Sequence, residues 1–183
     1  MDIGVISVRY ARALLKSAID AKQENVVYQE MMLLAKSFID VPALRHTIDN
    51  PMLAKEKKQT LLETAVGGAE ASALSKAFIA LVLKEGRENM IQFMANSYVT
   101  LYRQQKNIIL GKLTTATRVS DATEQKMRQM VEAKTQGTVE FETQVNPDII
   151  GGFVLEYDTF RMDASVKSRL NAILQTLKTL YQA

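Results

Sequence analysis

Cysteine and tryptophan are absent from this 183-residue chain, histidine occurs once and proline three times. Without cysteine there is no disulfide, no thiolate metal site and no cysteine nucleophile, and a reducing compartment is permitted. The one histidine, His46, cannot assemble the usual zinc sets, and no metal site is expected. It lies in LRHTID between apolar helix positions, and no serine stands in a glycine-flanked nucleophile motif, so a catalytic triad has no members to draw on. Long apolar runs are missing as well. AFIALVL, residues 77–83, falls far short of the ~20 residues that cross a bilayer, so no membrane insertion is expected. The opening MDIGVISVRYARALL lacks a basic start, a long apolar segment and a small-residue cleavage site, which points to the cytoplasmic side.

Charge of one sign is also scarce. The net charge is +3; residues 1–105 hold 13 basic and 11 acidic side chains and the remainder 10 and 9. Neither part carries the basic footprint that binding a phosphate backbone leaves, and no strand interleaves aromatic with basic residues, so nucleic acid is not an expected partner. The one dense run, KEKK at 55–58, reads as a solvated helix face, with an acidic partner as the minority reading.

What is present is helical periodicity. Tyr10, Leu14 and Ala18, with Ala11, Leu15 and Ile19, recur at helical spacing and predict a helix over 6–22 with one buried face. A second helix carries Val27, Met31, Leu34 and Phe38 and is interrupted at Pro42. A short third carries Leu44 and Ile48. A fourth, with Leu53, Leu61, Leu62 and Val66, ends at Gly67 and Gly68. The fifth has the stripes Ala73, Ala77, Leu81 and Leu74, Phe78, Val82 and closes at Gly86. The sixth holds Met90, Phe93, Met94, Ser97, Tyr98, Leu101 and Tyr102. Six helices with short connections predict an antiparallel bundle over 1–105.

From Ile108 the text alternates and gains threonine, as strands do. A helix follows from Ser120 or Asp121 to Gly137, with Asp121 and Glu124 as a capping box and Met127, Met130 and Val131 as its buried stripe. TVEFETQV puts Val139, Phe141, Thr143 and Val145 on one face and Glu140 and Glu142 on the other. A turn at Asn146–Asp148, the run IIGGFVLEY, a turn at Asp158 and Thr159, and FRMD complete a small mixed or antiparallel sheet. The last segment places Val166, Leu170, Ile173, Leu177 and Leu180 at near-heptad spacing, an amphipathic helix capped by Ser165 or Asp163. The expected fold is mainly α: an N-terminal six-helix bundle, then a small α+β domain over 106–183 with a short sheet and a C-terminal amphipathic helix.

Gly151 and Gly152 invite a search for a phosphate cradle. Such a loop needs its glycines to open directly into a helix, and here the pair sits inside what reads as a strand, ~13 residues before the next helix begins. A bulge or a close backbone approach is the better reading. The carboxylates of Asp158 and Asp163, or of Glu140 and Glu142, read as turn, cap and outer-face residues rather than an acid–base pair. No cofactor or small-molecule substrate is expected. Helices one and five are alanine-rich on their apolar faces, which suits a groove accepting a partner helix.

SVRYARALL, NPMLAKEKKQTLL, FIALVLKEGREN and above all NPDIIGGFVLEYDTFRMDASVKSRL resemble the delta subunit family of F-type ATP synthases, which includes the oligomycin-sensitivity conferral proteins. The resemblance runs over nearly the whole chain. It departs at Asn146, often aspartate in the family, at Gly86, often asparagine, and in lacking a proline between Arg9 and Tyr10. It implies a non-catalytic stator subunit at the cytoplasmic face of the bacterial inner membrane, which keeps the catalytic head from turning with the rotor. It further implies that residues 1–105 bind N-terminal helices of the alpha subunits, near Tyr10, Ala13, Leu14, Phe78, Leu81 and Val82. Residues 106–183 would then hold the b subunits of the peripheral stalk, through Val166, Leu170 and Ile173. The alternatives are a generic helical adaptor and a small soluble enzyme with an interdomain site.

Overall fold

The computed structural model describes residues 3–135, 137–157 and 159–181. The chain divides into two compact units, Met1–Gln105 and Lys106–Ala183.

The first unit holds α1 (Ile3–Asp20), α2 (Glu24–Asp40), α3 (Pro42–Asp49), α4 (Lys55–Ala65), α5 (Ala73–Lys84) and α6 (Ile91–Lys106), with single 3-10 turns at Gly68–Glu70 and Glu88–Met90. Pro42 begins α3 rather than merely stopping α2, because its missing N–H is one that a first helical turn leaves unpaired anyway. After α5, Gly86 takes φ +64° and the Arg87 N–H reaches back to the Val82 carbonyl, closing the helix in a left-handed cap. The core is built from Leu14, Val27, Met31, Leu34, Leu62, Ile79, Val82, Met94 and Tyr98, each nearly or fully inaccessible. Tyr28 stacks on Tyr102 with ring centroids 4.3 Å apart, and the Tyr98 hydroxyl donates to the Glu24 carbonyl. Burial pushes the Tyr98 phenol well up from its ordinary pKa.

Four polar side chains, Ser7, Glu30, Lys58 and Ser75, are buried here with partners. Ser7 donates to the Ile3 carbonyl one turn back. The Glu30 carboxylate, 5% exposed, accepts from the Ser72 amide, the Ser72 hydroxyl and the Ser75 hydroxyl at the start of α5. Lys58, 3% exposed, pairs with Glu88 at 2.8 Å. Lys58 therefore corrects the expectation that KEKK is wholly solvated: helical rotation turns the last lysine of the run inward, where only a carboxylate makes its charge tolerable. Burial alone would raise the Glu88 carboxyl, but the hydrogen bond and charge of Lys58 outweigh it and hold the pKa below its usual value.

Other expectations need correction in this unit. Leu53 lies ahead of α4, which Ala54 precedes as N-cap. Leu61 is 39% exposed and Ile19 37%. On α5, Ala73, Ala77 and Leu81 are exposed, while Ser75 and Ile79 are buried in their place. An apolar stripe wider than one contact face cannot all be covered by a single layer of neighbours.

In the second unit β1 (Ile108–Thr115), β2 (Thr138–Val145), β3 (Phe153–Tyr157) and β4 (Phe160–Asp163) form a mixed sheet in the order β2-β1-β3-β4. β1 and β2 are parallel, joined through α7 (Asp121–Thr135), and the other pairs are antiparallel. Leu113, Val131, Val139 and Leu155 make its core, with Phe141, Phe153 and Met127 packed around it. Register places Glu142, Lys112, Glu156 and Arg161 in one row across all four strands, so charges alternate in sign from strand to strand. Met130, expected in the stripe of α7, is 51% exposed, and Val145 at the end of the edge strand β2 is 47% exposed. The Ser120 hydroxyl accepts from the Thr123 amide at the start of α7, while Glu124 pairs with Arg128 at 3.0 Å rather than reaching back to the cap. The Asp121 side chain and Asp158 lie outside the described residues, as does the Leu180 side chain.

Gly151 and Gly152 precede β3 instead of lying within a strand. Gly152 has φ +74°, and a Cβ there would sit 2.2 Å from the Ala164 carbonyl oxygen. Close backbone approach, not a bulge, is what this glycine allows. The Ala164 N–H bonds the Phe153 carbonyl and the Val166 N–H the Gly151 carbonyl, which ties the start of α8 (Val166–Tyr181) to the start of β3.

Candidate partner-binding surfaces

Two helices of the first unit present matching stripes. Tyr10, Ala13, Leu14 and Ser17 of α1 face Leu74, Ala77, Phe78 and Leu81 of α5 across a groove of about 200 Å³. Each set steps by three, one and three, the spacing of one helical face. Ala13, Ser17 and Ala77 are small, which keeps the walls low enough for a third helix to approach. Tyr10 and Phe78 meet edge to face across it with centroids 6.5 Å apart. From the turn after α5, Arg87 donates to the Tyr10 hydroxyl at 2.9 Å and lies 5.3 Å from the ring centroid, which fixes the phenol at one end of the groove.

Of the six residues expected near a partner helix, the structure gathers Tyr10, Ala13, Leu14, Phe78 and Leu81 around this groove. Val82 is corrected: it is 0% exposed and belongs to the core, because one step of 100° past Leu81 turns its side chain inward. Leu14 and Phe78 serve both core and groove floor, being 6% exposed in each case. A second trough, about 650 Å³, runs between α1 and α6 past Ile3, Val8, Phe93 and Leu101, with Asn96, Thr100 and Gln104 along one side. Sequence reasoning assigned Phe93 and Leu101 to the buried face of α6. Their signal was the same apolar periodicity that marks core, and only packing separates the two.

The second surface is α8. Val166, Leu170 and Ile173, the residues expected to meet the stalk, are 39%, 47% and 57% exposed. Leu174 and Leu177 extend the same stripe at 54% and 46%, and Leu174 was not among the expected residues. A stripe of this length left uncovered within its own unit is suited to a partner. Its start is firmly fixed. Ser165 caps the helix by accepting from the Ser168 amide, and Asp163 accepts from the Ser165 amide at 2.9 Å and the Ser168 hydroxyl at 2.7 Å. The Ser165 hydroxyl and amide, then the Ser168 hydroxyl, hold the Asp163 carboxyl down to about 2. A depressed folded-state value means that the cap's contribution is full above the ordinary aspartate range and is lost as pH falls from about 4 through about 2. Carboxyl NMR shifts should titrate near 2 at Asp163, with amide protection at the start of α8 falling over the same window; a titration near 4 would contradict the capped geometry.

Among the described residues no group of three or more His, Asp or Glu side chains is placed to hold a metal, and no helix is long and apolar enough to cross a membrane. His46 is exposed on α3, Asp163 is occupied as a cap, and Glu140 and Glu142 lie on the face of the sheet away from α7.

The ATP synthase delta (OSCP) subunit family matches residues 6–177. The ATP synthase subunit delta of Phocaeicola vulgatus is 47% identical over 175 residues, covering 96% of this chain and 95% of that one. That of Parabacteroides distasonis is 42% identical, with 94% and 96% covered, and that of Enterococcus hirae 29%, with 97% and 98% covered. In fold, the chain resembles one from the Toxoplasma gondii mitochondrial ATP synthase hexamer, with a TM-score of 0.64 at 21% identity, covering 93% of this chain and 96% of the other. Two helix-presenting units and a full-length family match lead to one conclusion: the chain belongs to the ATP synthase delta (OSCP) subunit family, as a non-catalytic stator subunit linking the F1 head to the peripheral stalk.

Proposed function

We propose that the two units divide the stator's task, residues 1–105 holding the head through alpha-subunit N-terminal helices and residues 106–183 holding the b subunits of the stalk. The assembly would lie at the cytoplasmic face of the inner membrane, with this chain peripheral to it. The observation that carries the first half is the groove between α1 and α5, whose two walls repeat the same four-position stripe around small residues. An amphipathic helix laid there would bury its apolar face against Tyr10, Leu14, Phe78 and Leu81. The uncovered stripe of α8 supports the second half. With one attachment on each unit, torque on the head is resisted by the stalk, and rotor motion is spent on the catalytic sites of other subunits.

The test uses the full chain and a peptide of the alpha-subunit N-terminal segment. Leu81→Asp and Ala13→Glu should each weaken peptide binding by roughly 30-fold or more with little change in melting temperature, since both positions are exposed. Leu170→Asp combined with Ile173→Asp should abolish co-purification with b and leave peptide binding unchanged. Peptide binding that survives Leu81→Asp, or that is lost with the α8 substitutions, would defeat this division of labour.

A further inference from the structure

The rims of the α1–α5 groove are basic. Arg9, Arg12 and Lys16 are exposed and recur at steps of three and four, so they form one line along α1. None of the three has an ion pair or side-chain hydrogen bond among the described residues. Ala13, on the groove wall, is four residues after Arg9 and three before Lys16, and is therefore their neighbour on the helix surface, whereas Arg12 stands further round α1 beside Val5 and Val8. On the opposite wall Lys84 stands three residues after Leu81 in the same relation. Arg87 adds a further cation at the Tyr10 end. Against these, Asp20 stands at the other end of α1 and Glu85 beside Lys84.

Like charges three and four apart on a helix repel one another, and nothing on α1 between Arg9 and Lys16 offsets them. An opposite charge brought in by the occupant does. Resting on the head-binding reading above, we propose that the groove selects an amphipathic helix whose apolar stripe is flanked by acidic residues, read by Arg9 and Lys16 on one side and Lys84 on the other. The apolar floor supplies affinity, while the cations set partner choice, encounter rate and the direction in which the helix lies. Because Arg9 and Arg87 stand at the Tyr10 end while Asp20 follows Lys16 at the other, the acidic end of the occupant lies against Tyr10.

Reversing the two rim charges with Arg9→Glu and Lys16→Glu in the full chain tests this, since both sites are exposed and glutamate is a good helix former, and Arg12→Glu, further round α1, is the control that should leave binding nearly unchanged. Titrated with the alpha N-terminal peptide, the double variant should bind about tenfold more weakly than the native chain at ~20 mM salt. The gap should shrink to under about threefold at ~0.5 M salt, where exposed charges are screened. A peptide with its acidic residues exchanged for lysine should reverse the preference and favour the variant. Equal binding of the native peptide by both chains, or a loss that salt does not reduce, would overturn the charge rule while leaving the groove as the head site. No binding by the native chain would defeat the head-binding reading itself. Capture of the native chain, but not the variant, by phosphatidylglycerol vesicles, with peptide binding unaffected, would assign the basic line to lipid instead.

Discussion

Gly152→Ala should cost the second unit about 3 kcal/mol or more, the largest loss expected from adding a single methyl group to this chain. Two effects add. A non-glycine residue at φ +74° carries strain of roughly 1–3 kcal/mol, and the new Cβ would stand 2.2 Å from the Ala164 carbonyl oxygen, a backbone atom that cannot rotate away. Relief requires β3 to separate from the segment entering α8, at the expense of the Ala164-to-Phe153 and Val166-to-Gly151 hydrogen bonds. The cap at Ser165 and Asp163 is displaced with them. Thermal unfolding and amide exchange should show α8 and β3 loosened together, with capture of b lost and alpha-peptide binding by the first unit retained. Gly151→Ala is the control. Its added Cβ would meet a Val166 methyl at 3.1 Å, a contact that a side-chain adjustment relieves, so the loss should stay below about 1 kcal/mol. Equal effects at the two positions would refute the close approach as the reason for Gly152.

Glu30→Ala should destabilise the first unit by about 3 kcal/mol. The carboxylate takes three donors at the first turn of α5, where helix amides have no intrahelical partner and the helix dipole favours negative charge. Alanine leaves the Ser72 amide and two hydroxyls facing a buried void, and each unsatisfied group costs on the order of 1 kcal/mol or more. Glu30→Gln keeps an acceptor and should recover about half of the loss. Because α5 forms one wall of the α1–α5 groove, the alanine variant should also bind the alpha peptide less tightly in proportion to its unfolded fraction. Chemical denaturation followed by circular dichroism measures the first effect. A change below about 1 kcal/mol would mean that the Ser72 side chain, which accepts from the Ser75 amide, caps α5 without help.

Much of the architecture was legible in the residues. Pro42, Gly67 and Gly86 mark helix limits because each acts on the backbone next to it, and the parity of TVEFETQV places Val139 inward whatever its neighbours are. The walls of the α1–α5 groove were anticipated in composition, since alanine-rich faces on α1 and α5 stand out before any packing is known. The inward turn of Val82 was not. It shares a stripe with Leu74 and Phe78, and periodicity records only that a position is apolar.

Glu30 gave no sequence signal either. A glutamate inside a helix reads as solvent-facing, and its partners lie more than 40 residues away. Lys58 was hidden in the same way by Glu88, 30 residues further on.

By itself, then, the sequence determined the order of the helices and several of their limits, the change from helical to strand periodicity near residue 108, and the resemblance to a stator family. Those properties depend on backbone sterics and spacing between near neighbours. Tertiary structure alone decided which apolar residues are core and which face a groove, which charges are buried with a partner, and why Gly152 must be glycine. Each of these depends on an atom brought close by folding from a distant part of the chain.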